Sequence, residues 1–150
     1  MKVVELGHIV LYVRNLKESA HFYQNVLGWK RITGEEDGMP VAAFSSGRTH
    51  HELLLIEVGE DAAPAMQGHR AGLYHFGLKV GDSDDELREV LTSLQEHDVP
   101  ITGMSDHTVT HSIYIIDPDG NQIELYIDVP GADWKNDSSL LMTPVKPLHL

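Results

Sequence analysis

Hydrophobic and polar positions change period in a fixed order along the chain. Over 6–13, Ile9, Leu11 and Val13 alternate with Val10 and Tyr12, a half-buried strand pattern. Asn15-Leu16-Lys17-Glu18 then reads as a capping box, and Leu16, Ala20, Tyr23 and Leu27 fall on one helical face that Gly28 is placed to end. Strand-like runs follow at 29–34, 40–46 and 50–58. The same order then returns: an apolar strand at 73–80, the capping box Ser83-Asp84-Asp85-Glu86, a helical face of Leu87, Val90, Leu91 and Leu94, and strand-like runs at 100–105, 110–116 and 121–129. The predicted unit is βαβββ, occurring twice, at 3–58 and 72–129. Residues 130–150, opening on Pro130-Gly131, form a tail draped over what is expected to be a single domain, 1–150.

The first strands of the two units are 67 residues apart (75 − 8), and at that offset Leu6/Leu73, His8/His75, Leu11/Leu78 and Val13/Val80 are identical. Identity at fixed spacing marks a duplicated unit. Successive strand residues point to opposite faces, so Ile9, Leu11 and Val13 pack on the helix and leave His8 on the other face. By the same parity His75 opposes Phe76, Leu78 and Val80, and Glu124 opposes Ile123, Leu125 and Ile127. A lone strand histidine is usually just hydrogen-bonded or solvated. Two at equivalent positions of a repeat, with a carboxylate on the matching face, are the ingredients of a two-histidine, one-carboxylate site for Fe(II) that leaves coordination positions open.

Composition narrows the chemistry. With no cysteine there are no disulfides, thiolate zinc sites or cysteine nucleophiles. Lys and Arg total 11 against 23 Asp and Glu, a net charge of −12, which argues against nucleic acid or an anionic membrane as partner. No apolar run reaches membrane-spanning length and the first residues lack a signal-peptide pattern, so the expected location is cytoplasmic. His21, His69, His97 and His149 read as surface residues. Asp117-Pro118-Asp119-Gly120 reads as a hairpin turn that sets the register of the Glu124 strand, with its carboxylates expected in solvent.

The segments Gly7-His8-Ile9-Val10-Leu11-Tyr12-Val13, Gly72-Leu73-Tyr74-His75-Phe76-Gly77-Leu78 and Asp117-Pro118-Asp119-Gly120-Asn121-Gln122-Ile123-Glu124-Leu125-Tyr126 resemble the vicinal oxygen chelate superfamily. That superfamily includes glyoxalase I, methylmalonyl-CoA epimerase, drug resistance proteins and extradiol catechol dioxygenases. The resemblance implies an α+β fold in which two βαβββ modules form a cupped mixed sheet around a metal site. Arg48-Thr49-His50-His51-Glu52-Leu53, the segment from His107 to Tyr114, and the tail through Trp134 and Met142-Thr143-Pro144 are similar to the extradiol dioxygenases of the catechol 2,3-dioxygenase and dihydroxybiphenyl dioxygenase type.

On that resemblance His8, His75 and Glu124 hold Fe(II), or alternatively Mn(II), and an aromatic diol and O2 are the partners of a ring-cleaving dioxygenase of aromatic catabolism. His51 is the implied acid/base, and His107 and Tyr114 are the implied hydrogen-bond donors to substrate oxygens. A homodimer or higher homo-oligomer is expected. Parity assigns Leu54, Ile56 and Val58 to the helix face, which sends His51, Leu53 and Leu55 to the site and His50 away from it. His111 falls on the face opposite Tyr114. Two alternatives stay open: a glyoxalase I or epimerase-like enzyme with Glu52 as fourth ligand to Zn(II), Ni(II) or Co(II), and a metal-free drug-binding resistance protein.

Overall fold

The computed structural model describes residues 1–33 and 38–150. The chain divides into two compact units, Met1–Met66 and Gln67–Leu150.

The first unit contains β1 (Ile9–Val13), helix α1 (Leu16–His21) continued by a π turn (Phe22–Val26), β2 (Val41–Phe44) and β3 (Leu53–Glu57). Asn15 caps α1 by accepting from Glu18 N at 3.0 Å, the N-cap half of the predicted capping box. The π turn is closed by Leu27 N donating to Phe22 O. Its wider pitch brings Phe22 into the core next to Tyr23 and Ala20, a position that strict 3.6-residue spacing does not select. Gly28 follows at φ 69°, where the chain turns out of the helix.

β3 is the central strand, parallel to β1 and antiparallel to β2. The predicted strand at 29–34 is reduced to one bridge, Arg31 with Phe44; position 34 lies outside the described residues. The parity expected for 50–58 is inverted. Leu53 and Leu55 are fully buried and pair with Ile9 and Leu11 on the helix face, while Leu54 and Ile56 share the other face with Val10 and Tyr12. The cause is the unbroken run Leu53-Leu54-Leu55-Ile56: a central strand apolar on both faces carries no alternation from which a face can be read.

The second unit repeats this plan in fuller form. β4 (His75–Gly81), α2 (Asp84–Glu96), β5 (Ile101–Asp106), β6 (Thr110–Ile116) and β7 (Gln122–Asp128) give the expected βαβββ order. The sheet order is β4-β7-β6-β5-β8, with β4 parallel to β7, matching β1-β3-β2 strand for strand. Ile113, Ile115, Ile123, Leu125 and Ile127 are buried under α2, which contributes Leu87 and Leu94. The tail forms a short 3-10 turn (Ser138–Met142) and then β8 (Lys146–Pro147), which pairs with β5 and buries Leu148.

The 117–120 turn differs from expectation in one respect. Asp117 and Asp119 are buried, not solvated, because Asp117 accepts from Asp119 N, Asn121 N and Asn121 Nδ2 at 2.7–3.0 Å. The carboxylate replaces water for backbone donors that the turn leaves free, the usual Asx-turn solution. It thereby fixes where β7 begins and which residue of β7 faces β4.

Candidate metal centre

Within the second unit, β4 and β7 are parallel with His75 opposite Gln122 and Gly77 opposite Glu124. Opposed residues share a face, so His75, Gly77 and Glu124 lie together on the side away from α2. His75 Nε2 stands 3.2 Å from Glu124 Oε2. Among the described residues His75 Nδ1 is buried without a hydrogen-bond partner, and the ring is held by the Glu124 carboxylate on Nε2 and by edge contacts with Tyr74 and Tyr114.

β6 adds two residues to the same face, since Tyr114 pairs with Glu124 and Ser112 with Tyr126. Ser112 donates to Glu124 Oε1 at 2.6 Å, and Tyr114 donates to the same oxygen at 3.3 Å. His107, in the β5–β6 turn, brings Nε2 to 2.7 Å from the Tyr114 hydroxyl. Burial, and then the charge of Glu124, push the Tyr114 phenol well above its ordinary value, so it remains a protonated donor. The Tyr114 proton serves either Glu124 or His107. When His107 Nε2 carries hydrogen it donates to Tyr114, which then donates to Glu124; otherwise Tyr114 donates to His107. The three groups form one hydrogen-bonded chain.

His111 is on the opposite face. Its Nδ1 is bonded to Asp84 Oδ1 at 2.6 Å, tying β6 to the first turn of α2. His107 therefore accompanies Tyr114, and His111 does not. Ser112 was missed by residue-type reasoning. The available signal was its parity with Tyr114, two positions on, with isoleucine on the alternate positions 113 and 115.

In the first unit, β1 and β3 are parallel with Ile9 opposite Leu53, and Ile9 N donates to Glu52 O. His8 and Glu52 stand one step before that pair. The His51 ring centroid is 4.4 Å from those of both His8 and His50, and the His50 and His51 Nδ1 atoms are 2.6 Å apart. His51 reaches His8 because residues 50–52 precede β3, so strand parity does not govern them. Burial, then the neighbouring His50 and His8 rings, hold His51 below the usual histidine value, which favours the neutral imidazole.

Glu52 is engaged elsewhere. It accepts from Ser46 N, Ser46 Oγ and Arg48 Nε at 2.5–2.9 Å, and the Arg48 guanidinium also donates to the carbonyls of Leu6 and Gly7. Burial pushes its carboxyl up, but these hydrogen bonds outweigh burial and hold it below the ordinary range. Register makes the same point independently. Glu124 lies opposite the residue two beyond His75; the residue two beyond His8 is Val10, and opposite it stands Leu54. The first unit therefore carries leucine where the second carries its carboxylate, and Glu52 corresponds to Gln122.

Among the described residues no three His, Asp or Glu side chains stand in an ion-gripping arrangement, so the second unit by itself offers a pair. The pair fits a divalent ion. Two ligand atoms each about 2.1 Å from an ion and at right angles lie about 3 Å apart, close to the 3.2 Å between His75 Nε2 and Glu124 Oε2. Gly77 keeps that side open: a Cβ there would lie 3.2 Å from the Tyr126 ring and 3.6 Å from Glu124 Oε2.

Residues 5–125 match the Glyoxalase/Bleomycin resistance protein/Dioxygenase superfamily. The chain belongs to this superfamily. It is 35% identical over 132 residues to a catechol-2,3-dioxygenase of Bacillus subtilis, covering 88% of this chain and 44% of that protein. The chain thus spans less than half the length of that relative. It is 28% identical over 134 residues to a lactoylglutathione lyase of Neisseria meningitidis, covering 87% of this chain and 95% of the lyase. A solved glyoxylase/bleomycin resistance protein/dioxygenase domain from a Frankia species has the same fold, with a TM-score of 0.70 at 20% identity over 91% of this chain and all of that one. Among the described residues, no helix is long and apolar enough to cross a membrane.

Proposed function

We propose that the protein is an extradiol ring-cleaving dioxygenase acting on a catechol-type aromatic diol with O2, with Fe(II) held by His8, His75 and Glu124. The observation that carries this reading is the joined set of His75, Glu124 and Tyr114 on one sheet face with His107 reaching Tyr114 from the adjoining turn, an arrangement that supports a metal pair linked to a hydrogen-bonded acid/base chain. Leu54 at the position corresponding to Glu124 supports three ligands rather than four, and so favours the dioxygenase over a glyoxalase-type lyase with Glu52 as ligand.

Fe(II) held by His8, His75 and Glu124 would bring the diol and dioxygen together and relay charge between them. The rest falls to the protein. His51, kept neutral, accepts a proton from the diol as it binds. Tyr114 and His107 donate hydrogen bonds to substrate oxygens and return protons as charge develops on them. The product is the ring opened next to the diol.

Protein purified without oxygen is expected to contain iron and to turn a catechol yellow by ring opening. Zinc or nickel, with activity on a glutathione hemithioacetal, would instead establish the lyase, and a protein that binds drug but no metal would establish the resistance-protein reading.

A further inference from the structure

Ser112 is fully buried, in the middle of β6, between strands that pair with it on both sides. A hydroxyl at such a place gains nothing over a methyl unless it is hydrogen-bonded, because removing it from water costs free energy. Its hydroxyl donates to Glu124 Oε1 at 2.6 Å, and it also lies within hydrogen-bonding reach of the Tyr114 hydroxyl. Tyr114 reaches the same oxygen at a longer 3.3 Å. The other oxygen, Oε2, faces His75 Nε2 and the space left by Gly77. The two carboxylate oxygens, equivalent in isolation, are made different by the strand that runs beside them.

We propose that Ser112 is a positioning residue that anchors Glu124 Oε1, so that Oε2 alone is offered to the metal. The inference rests on the reading of Glu124 as a ligand. A carboxylate free to turn can offer both oxygens to an ion and occupy an extra coordination position, one that a two-oxygen substrate and O2 need. Anchoring one oxygen keeps that position open and also fixes the ligand's direction before the ion arrives.

The test compares wild type, Ser112→Ala and Ser112→Thr, each stripped of metal and titrated with Mn(II) by calorimetry. Exchangeable waters on the bound ion are counted by water-proton relaxation. Ser112→Ala is expected to weaken Mn(II) binding about 10- to 100-fold and to lower the number of exchangeable waters. Ser112→Thr, which keeps the hydroxyl, is expected to restore both. A residue serving only to pack the strand would shift the melting temperature of the metal-free protein and leave affinity and water count alone. Unchanged affinity and water count in Ser112→Ala overturn the role of Ser112 while leaving Glu124 as ligand. Wild-type protein that binds neither Mn(II) nor Fe(II) overturns both. If Ser112→Ala does not fold, Ser112→Cys, similar in size but a much weaker donor, carries the same expectations.

Discussion

Tyr114 has one hydroxyl proton and two acceptors within reach, His107 at 2.7 Å and Glu124 at 3.3 Å. Replacing it with phenylalanine keeps the ring in place and breaks the chain between histidine and carboxylate. Tyr114→Phe is expected to lower kcat for catechol cleavage about 100-fold or more, with a smaller change in Mn(II) affinity than Ser112→Ala because its bond to Oε1 is the longer one. Equal rates for Tyr114→Phe and wild type would remove Tyr114 from the chemistry. Glu52 belongs to a different argument. Its carboxyl lies below the ordinary range, so the stability it contributes is present above about pH 4.3 and is lost as pH falls through the lowered value. Glu52→Gln is expected to cost about 1–3 kcal/mol at pH 7, with the gap to wild type narrowing in acid. Urea unfolding at pH 7 and pH 3 measures it, and a gap independent of pH would show that the charge is not what matters.

Elements in this chain are set by local closures that reach a few residues outside them. In α2, Glu86 turns back so that Oε2 accepts from Asp82 N at 2.8 Å and Ser83 Oγ at 2.9 Å, while Ser83 Oγ accepts from Glu86 N. The closure needs Gly81, because a Cβ there would stand 2.8 Å from Glu86 Cβ and Oε2. Gly81→Ala is expected to destabilise the protein by about 1–2 kcal/mol by displacing the cap. The same substitution made on Glu86→Gly, which has neither the Cβ nor the carboxylate that the new methyl would meet, should cost much less; thermal unfolding of the four proteins in a double-mutant cycle reads the difference. Both N-caps could be read in the sequence because their residues are adjacent in the chain. The face of β3 could not, since Leu53 through Ile56 are all apolar and only pairing with β1 distinguishes Leu53 and Leu55 from Leu54 and Ile56. The same parity argument sent His50 away from His8 and His51, yet both rings stand near His8, at 6.2 Å and 4.4 Å between centroids, because residues 50–52 lie ahead of the strand and its alternation does not govern them.

At the scale of the whole molecule the two units share one topology but differ in completeness. The second has a five-stranded sheet whose edge, β5, is covered by the tail through the pairs Ser105 with Pro147 and Asp106 with Lys146. Leu148 is buried beyond that strand, its N–H directed to Met104 O. Deleting residues 144–150 removes this contact and bares a strand edge next to the His107 turn. Loss of about 2–4 kcal/mol is expected from the buried leucine, together with light scattering from edge-to-edge association. A truncated protein as stable and monodisperse as the full chain would show the tail to be dispensable.

The sequence by itself determined the duplication, the helices with their caps, and the residues His75, Glu124, His107 and Tyr114 that the second unit gathers. The duplication, the caps and the face shared by His75 and Glu124 rest on adjacency, on 3.6-residue spacing, or on an alternation whose two faces differ in polarity, whereas His107 and Tyr114 were named by the resemblance to the extradiol dioxygenases. Tertiary structure decided what such patterns leave silent: that Leu54 stands where a fourth ligand would, that Glu52 serves Ser46 and Arg48, and that Ser112 holds one oxygen of Glu124. Those facts depend on register between strands far apart in the chain, and register is fixed by hydrogen bonding across the sheet.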